Sequence, residues 1–388
     1  MPTCVFSIEG CQLKLDSKAD IEPYLKQIDP NVTEEIYLGG NTIGVDAAEA
    51  LGAAIRRIKK LKVAGLADIF TGRLISEIPP ALTYICDALA DVPTLEEVDL
   101  SDNAFGGRSV APLVPLLSRN HSISTLKLEN NGLGPDGGRI VAKALLEGAK
   151  TCAAAGVPSR LRTVICGRNR LENGSADAWA EAFAAHGGLQ EVRMAQNGIR
   201  QAGFTAIVHG LAKCASLQCV CLSDNLGRDL GEDEDPAEES ESENGWHALA
   251  QALPGWKELR HLDVSDCGAN APGLRLLING LRGGVHGKLH TLLLVNNDLE
   301  GSSYEELHRL VADHLPGLRK LDLSVNDDLE DESLVALADT LLARGGRLIL
   351  DEDEEFIVVP SETDELSVPT KDVDELVEMV AAMGVHSS

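Results

Sequence analysis

Residues 125–138 read TLKLENNGLGPDGG: two alternating leucines, then a polar turn with paired asparagines and a run of glycines. Reduced to apolar-x-apolar-x-x-Asn, the pattern Leu126-x-Leu128-x-x-Asn131 recurs along the chain. It returns at Ile36/Leu38/Asn41, Val98/Leu100/Asn103, Val164/Cys166/Asn169, Val192/Met194/Asn197, Val220/Leu222/Asn225, Leu292/Leu294/Asn297 and Leu321/Leu323/Asn326. Leu262/Val264/Cys267 belongs to the same series with Cys in place of Asn, Ala64/Leu66/Ile69 is a degenerate copy, and Leu348-Ile349-Leu350 closes the row. Intervals between the anchor positions are 28, 34, 28, 38, 28, 28, 42, 30 and 29 residues. A basic period of 28–29 is that of a long leucine-rich repeat.

The physical logic of the repeat follows from its parts. Alternating apolar residues make a short parallel strand with one buried face. The Asn side chain bonds the turning backbone of adjacent coils, and the rest of the unit forms a helix on the opposite side. Apolar residues recur at helical spacing in 47–58, 138–146 and 334–342. The expected fold is therefore α/β, a leucine-rich repeat horseshoe with an inner parallel sheet and outer helices, in about 11 repeats. Composition agrees: 44% apolar residues with only 3% aromatics suit many small equivalent layers better than one large core.

The repeat pattern assigns residues 1–350 to this domain. Its N-terminal cap covers about residues 1–20, where Cys4–Leu15 alternates like a strand. Long intervals mark insertions. One falls at 148–158 (GAKTCAAAGVP) and one at 229–243, which holds nine acids and no base; both are expected to be solvated surface loops. A short tail, 351–388, begins acidic and ends in an amphipathic helix over 373–383.

The net charge of −27 excludes nucleic-acid and anionic-membrane binding as a main activity, because the phosphate attraction behind both is reversed. Two segments, 229–243 and 351–388, carry −9 and −11 of that charge. The nine cysteines are odd in number and scattered, without a C-x-x-C pair, and read as buried reduced thiols of an intracellular protein. Met1-Pro2-Thr3-Cys4 lacks the basic-then-apolar order of a secretion signal, and no apolar run reaches the ~18–20 residues of a membrane span. The glycine-rich stretch 132–138 lacks the Gly-Lys-Ser/Thr ending of a phosphate loop and reads as a repeat turn. There is no Gly-x-Ser-x-Gly elbow, no His-Glu-x-x-His and no carboxylate pair to single out, so the expectation is a binder and not a self-contained enzyme.

Binding residues are those the repeat does not require. The position before each buried Asn points away from the coil interior. That column reads Gly40, Asp68, Asp102, Asn130, Arg168, Gln196, Asp224, Asp266, Asn296 and Val325, nearly all polar. The second repeat breaks the pattern more sharply: Asp68-Ile69-Phe70-Thr71-Gly72-Arg73 lies in a loop about six residues longer than its neighbours'. From this stretch Arg73 is expected to stand exposed and to be replaceable by Ala without cost to the fold.

Several stretches together resemble the Ran GTPase-activating protein family: FSIEG at 6–10, GNTIG at 40–44, DIFTGR at 68–73, EIPPAL at 77–82, LSDNAFG at 100–106, NNGLGP at 130–135, ICGRNRLENGS at 165–175 and QNGIR at 196–200. The resemblance implies an activator of the small GTPase Ran that orders the GTPase's own glutamine without contributing an arginine finger. It implies Arg73 as the family's essential arginine and Asn130 as the asparagine that reaches the switch region. Asp68, Asp102, Arg168, Gln196 and Asp224 are the implied partner-binding neighbours. Further implications are no cofactor of its own, since GTP and Mg2+ stay with the partner, and a monomer that binds Ran-GTP, with or without a Ran-binding protein. Its expected place is the cytoplasm, including the perinuclear region, in support of nucleocytoplasmic transport. Where the fungal pattern has Lys two residues after the arginine, this chain has Ile75. The competing expectation is a protein-binding module of the ribonuclease-inhibitor type, which shares the period but leaves DIFTGR unexplained.

Overall fold

The computed structural model describes residues 4–226, 244–329 and 331–351. The acidic insertion 229–243 and the helix expected over 373–383 lie outside the described residues. The chain divides into Met1–Ile357 and Val358–Ser388, and every described residue belongs to the first unit.

Twelve parallel strands form one sheet in chain order. They are β1 (Val5–Ser7), β3 (Glu35–Tyr37), β5 (Val63–Gly65), β6 (Glu97–Asp99), β7 (Thr125–Lys127), β8 (Thr163–Ile165), β9 (Glu191–Arg193), β10 (Cys219–Cys221), β11 (His261–Asp263), β12 (Thr291–Leu293), β13 (Lys320–Asp322) and β14 (Arg347–Ile349). A separate two-stranded ladder pairs β2 (Lys14–Leu15) with β4 (Thr42–Ile43). Between strands run the helices α1 (Lys18–Leu25), α2 (Val45–Ile55), α3 (Ile78–Ala90), α4 (Leu113–Arg119), α5 (Gly134–Ala154), α6 (Glu172–His186), α7 (Gln201–Leu211), α8 (Gly245–Ala252), α9 (Asn270–Leu281), α10 (Gly301–His314) and α11 (Glu332–Leu342). Strands sit ~4.8 Å apart and packed helices ~8–10 Å, so the helical side is longer and the sheet becomes the concave face.

Each strand buries its middle residue and turns the flanking two to the concave face, as period-2 geometry requires. Ile36, Val98, Leu126, Val192, Leu262 and Leu321 are buried in this way. The recurrent turn chemistry is a ladder of amides. The Asn131 Oδ1 accepts from the backbone N–H of Asn103 at 2.9 Å, and Asn169 Oδ1 accepts from Asn131 N–H at 3.0 Å. Asn197 and Asn225 continue the series. The Nδ2 groups donate to carbonyls of the preceding coil and, except at Asn131, of their own, for example Asn103 to Leu66 and Leu100. In the degenerate copy Ile69 is fully buried and only its backbone takes part, donating to Asn103 Oδ1 at 2.8 Å. Cys267 keeps the donor role through its thiol, which faces the carbonyls of Leu222 and Ser265.

Three expectations are corrected. The N-terminus is no simple cap: β1 is the first strand of the main sheet and α1 completes a full coil beyond residue 20. The insertion at 148–158 is mostly helix, because α5 extends to Ala154 and buries Gly148, Ala149 and Cys152. An alanine-rich stretch favours helix, and the bare Gly148 lets the Leu117 carbonyl approach to where a Cβ would lie 2.7 Å away. Finally, Cys4 and Cys11 are exposed and Cys219 is half-buried, whereas Cys86, Cys152, Cys166, Cys214, Cys221 and Cys267 are buried; all nine are free thiols.

Candidate functional site

The column before the ladder residue is uniform in backbone as well as in position. Gly40, Asp68, Asp102, Asn130, Arg168, Gln196, Asp224, Asp266, Asn296 and Val325 all have positive φ, between 48° and 69°. Gly, Asn and Asp adopt this left-handed conformation most easily, so the abundance of Asp and Asn here follows from backbone geometry before any question of binding. Arg168, Gln196 and Val325 are the members that geometry does not explain. All ten follow strands of one parallel sheet, so they form a row along the same edge, one step of ~4.8 Å per coil.

Within that row Asn130 donates from Nδ2 to the Asp102 carboxylate at 2.8 Å. A carboxylate only accepts, which fixes the amide with its nitrogen toward Asp102 and its Oδ1 free to face outward. Asn296 makes the same bond to Asp266 at 2.6 Å, so the pairing is a recurrent rim device and not unique to Asn130. Gln196 and Asp224 are exposed and border one groove with Arg170, Glu172 and Asp266.

DIFTGR resolves residue by residue into a structure for one loop. Asp68 holds the Thr71 hydroxyl. Ile69 and Phe70 are buried, and Phe70 meets Phe105 edge-on with ring centroids 6.4 Å apart. Gly72, at φ 78°, supplies the left-handed step that lets Arg73 N–H close a turn on the Phe70 carbonyl at 3.0 Å. Arg73 then turns back to the first coil. Its Nε donates to Thr42 Oγ1 at 2.8 Å, Nη1 to Asp16 at 2.5 Å, and Nη2 to the carbonyls of Thr42 at 2.9 Å and Leu15 at 3.3 Å.

The Arg73 side chain is only 8% exposed, which corrects the expectation of a free arginine lifted into solvent. The pattern of the loop showed its length, but nothing local shows that its guanidinium has acceptors 31 and 57 residues away. Gly44 completes the fit, since a Cβ there would sit 3.1 Å from Nη1 and 2.8 Å from the Asp16 carbonyl. GNTIG and DIFTGR are thus two halves of one staple. Arg73 holds the Asp16 carboxyl below its ordinary range by donating to it. The loop and Asn130 share the sheet edge, with β6 between their strands, but the guanidinium points to the first coil, away from Asn130.

Comparison with known proteins gives this geometry its context. A family model described as Leucine Rich repeat matches residues 93–114 and 314–338. Ran GTPase-activating protein 1 of Saccharomyces cerevisiae is 35% identical over 343 residues, covering 86% of this chain and 81% of the yeast protein. The chain belongs to the Ran GTPase-activating protein family. The Xenopus laevis Ran GTPase-activating protein 1 is 44% identical over 197 residues, which span 50% of this chain and 34% of the frog protein. Ribonuclease inhibitor of Sus scrofa is 22% identical over 310 residues, a relation of repeats.

In this member of the Ran GTPase-activating protein family, GNTIG and DIFTGR together build the Arg73 staple. Missed in the sequence were Asp16 and Thr42, which hold Arg73, and Arg170, inside ICGRNRLENGS but outside the column. No group of three or more His, Cys, Asp or Glu side chains among the described residues is arranged to hold a metal, and no described helix is long and apolar enough to cross a membrane.

Proposed function

We propose that the chain is a GTPase activator for Ran. It takes GTP-loaded Ran on the rim formed by the strand-to-helix turns and stimulates hydrolysis by setting Ran's own glutamine in place, with no arginine finger. One observation carries the mechanistic part: Arg73 donates four internal hydrogen bonds. An arginine finger places a free guanidinium against charge developing on the transferred phosphoryl, and delivering Arg73 there would break all four bonds.

Arg73 acts as a positioning residue. It fixes the loop whose next two side chains, Leu74 and Ile75, are 69% and 58% exposed, so contact with the GTPase at Ile75 is apolar where fungal relatives place a Lys. Asn130, oriented by Asp102, offers its Oδ1 and remaining N–H to the switch region. Asp68, Asp102, Arg168, Gln196 and Asp224 line the contact on either side. GTP and Mg2+ stay in the partner and the chain supplies no cofactor. It works as a monomer in the cytoplasm and perinuclear region, with or without a Ran-binding protein, where hydrolysis sustains nucleocytoplasmic transport.

The test is hydrolysis by purified Ran loaded with GTP. Catalytic amounts of the protein should raise the rate by orders of magnitude over the very slow intrinsic hydrolysis. No stimulation at stoichiometric amounts overturns the proposal.

A further inference from the structure

In the turns after β6, β7, β8 and β11 the backbone enters the left-handed region at three alternate positions. After β7 these are Asn130, Gly132 and Gly134; after β11 they are Asp266, Gly268 and Asn270. Such residues carry positive φ with little or no strain. The turn after β8 follows the same path with Arg168 at 55°, Arg170 at 53° and Glu172 at 50°. Among the described coils this is the one whose three left-handed positions hold no Gly, Asn or Asp. Its neighbours show that the path needs no large charged side chain, so the strain accompanies something the side chains do.

Both guanidiniums are exposed and make no hydrogen bond or ion pair among the described residues. Basic groups on the concave face behave differently: Lys127 pairs with Glu97 and Arg193 with Glu191, each at 2.6 Å. Arg168 and Arg170 are also the sole bases among the described left-handed rim positions, which place acids at Asp68, Asp102, Glu172, Asp224, Asp266, Asp298 and Asp328. Arg170 forms one wall of an open groove of about 340 Å³ that continues past Glu172 to Asp224.

We infer that Arg168 and Arg170 form a two-guanidinium clamp for carboxylates on the surface of the GTPase. The inference rests on the reading of the chain as a Ran activator and adds the chemistry of one contact. Planar guanidiniums bind carboxylates bidentately. The surrounding acids repel a multiply charged nucleotide phosphate more than a single carboxylate, which favours a protein carboxylate as the occupant. In the free protein the same acids turn away other acidic chains, so the clamp selects a partner whose carboxylates lie opposite these two arginines.

The experiment compares the wild-type chain with Arg168→Gly and Arg170→Gly in Ran-GTP hydrolysis, together with thermal melting. Glycine suits the backbone at both positions, so each variant should melt at or above the wild-type temperature. KM for Ran-GTP should rise about tenfold or more per substitution with kcat within about twofold, the signature of lost binding with intact chemistry. The salt dependence of KM should weaken, and Arg170→Lys should recover part of the affinity.

An unchanged KM in both Gly variants overturns the clamp and leaves the Ran reading standing. A fall in kcat of about 100-fold at constant KM overturns it as well, by moving the contact to the reacting phosphoryl. A wild-type chain that gives no stimulation removes the Ran reading, and the clamp with it.

Discussion

The guanidinium of Arg73 and the carboxylate of Asp16 meet at 2.5 Å across a separation of 57 residues, tying the loop after β5 to the first coil. Arg73→Ala removes this bond and three others; the Leu15 carbonyl keeps the Gly44 N–H as donor, while the Thr42 carbonyl and hydroxyl lose the guanidinium. Stability should fall by about 1–3 kcal/mol, in contrast to the sequence expectation of an unaffected fold. Stimulation of Ran should fall with it because the loop is freed. Urea denaturation and hydrolysis assays read the two effects separately; undiminished stimulation in the variant excludes the loop from the contact. The bond holds Asp16 ionised below its ordinary range, so the staple contribution is present above pH ~4 and is lost only as the pH drops through the still lower folded value.

Asn130 and Asn131 are adjacent and should respond oppositely to Ala. Asn131 is fully buried, accepts from Asn103 N–H and donates to the Leu100 carbonyl, so Asn131→Ala should lose about 1–3 kcal/mol of stability. Asn130→Ala removes one exposed bond to Asp102 and puts Ala at φ 53°, so it should cost at most about 1 kcal/mol, less than Asn131→Ala, and should sharply lower stimulated hydrolysis. Equal melting losses in the two variants would contradict the division of roles.

His186 ends α6 with Nε2 at 3.1 Å from the Leu145 carbonyl and Nδ1 at 2.6 Å from Ser159 Oγ. Burial pushes it down from 6.5 to about 4. The unfolded chain therefore binds a proton in this window that the folded chain does not, and stability rises with pH. Its contribution is complete above pH ~6.5 and is lost progressively as the pH falls toward 4, with a ceiling of about 3 kcal/mol. Chemical denaturation at pH 7, 6 and 5 should show the loss, and His186→Gln should flatten it; parallel slopes for the two proteins would refute the assignment.

Gly210 lies within α7, where helix propensity alone favours Ala by about 1 kcal/mol. A Cβ there would meet backbone atoms of Ala180 on α6 at 2.5 to 2.8 Å. Gly210→Ala should therefore destabilise the protein by about 1–3 kcal/mol, as overpacking does. A rise in melting temperature would show that α6 and α7 can separate at no cost.

Val325 is a β-branched residue at φ 60° with 52% exposure. Nothing in its packing explains the side chain, and Val325→Asn or Val325→Gly should stabilise the chain by about 1 kcal/mol by relieving strain. Calorimetry checks the sign.

The apolar-x-apolar-x-x-Asn pattern located the strands and the buried ladder because strand burial and turn bonding both act within a few residues and repeat every coil. The same reading marked the rim column as outward and polar, yet its cause was invisible: left-handed backbone accounts for Asp102, Asn130 and Asp224, and leaves Arg168, Gln196 and Val325 to be explained otherwise. The insertion at 148–158 was legible in length but not in form, since the face its residues bury exists only once α4 lies beside α5.

Sequence alone therefore determined the coil, its period, its ladder and its family, all of which are written in local spacing or in motif identity. The tertiary structure alone decided where Arg73 points. A guanidinium goes where its acceptors are, and those belong to Leu15, Asp16 and Thr42, which the stacking of coils brings within hydrogen-bond reach and no local pattern announces.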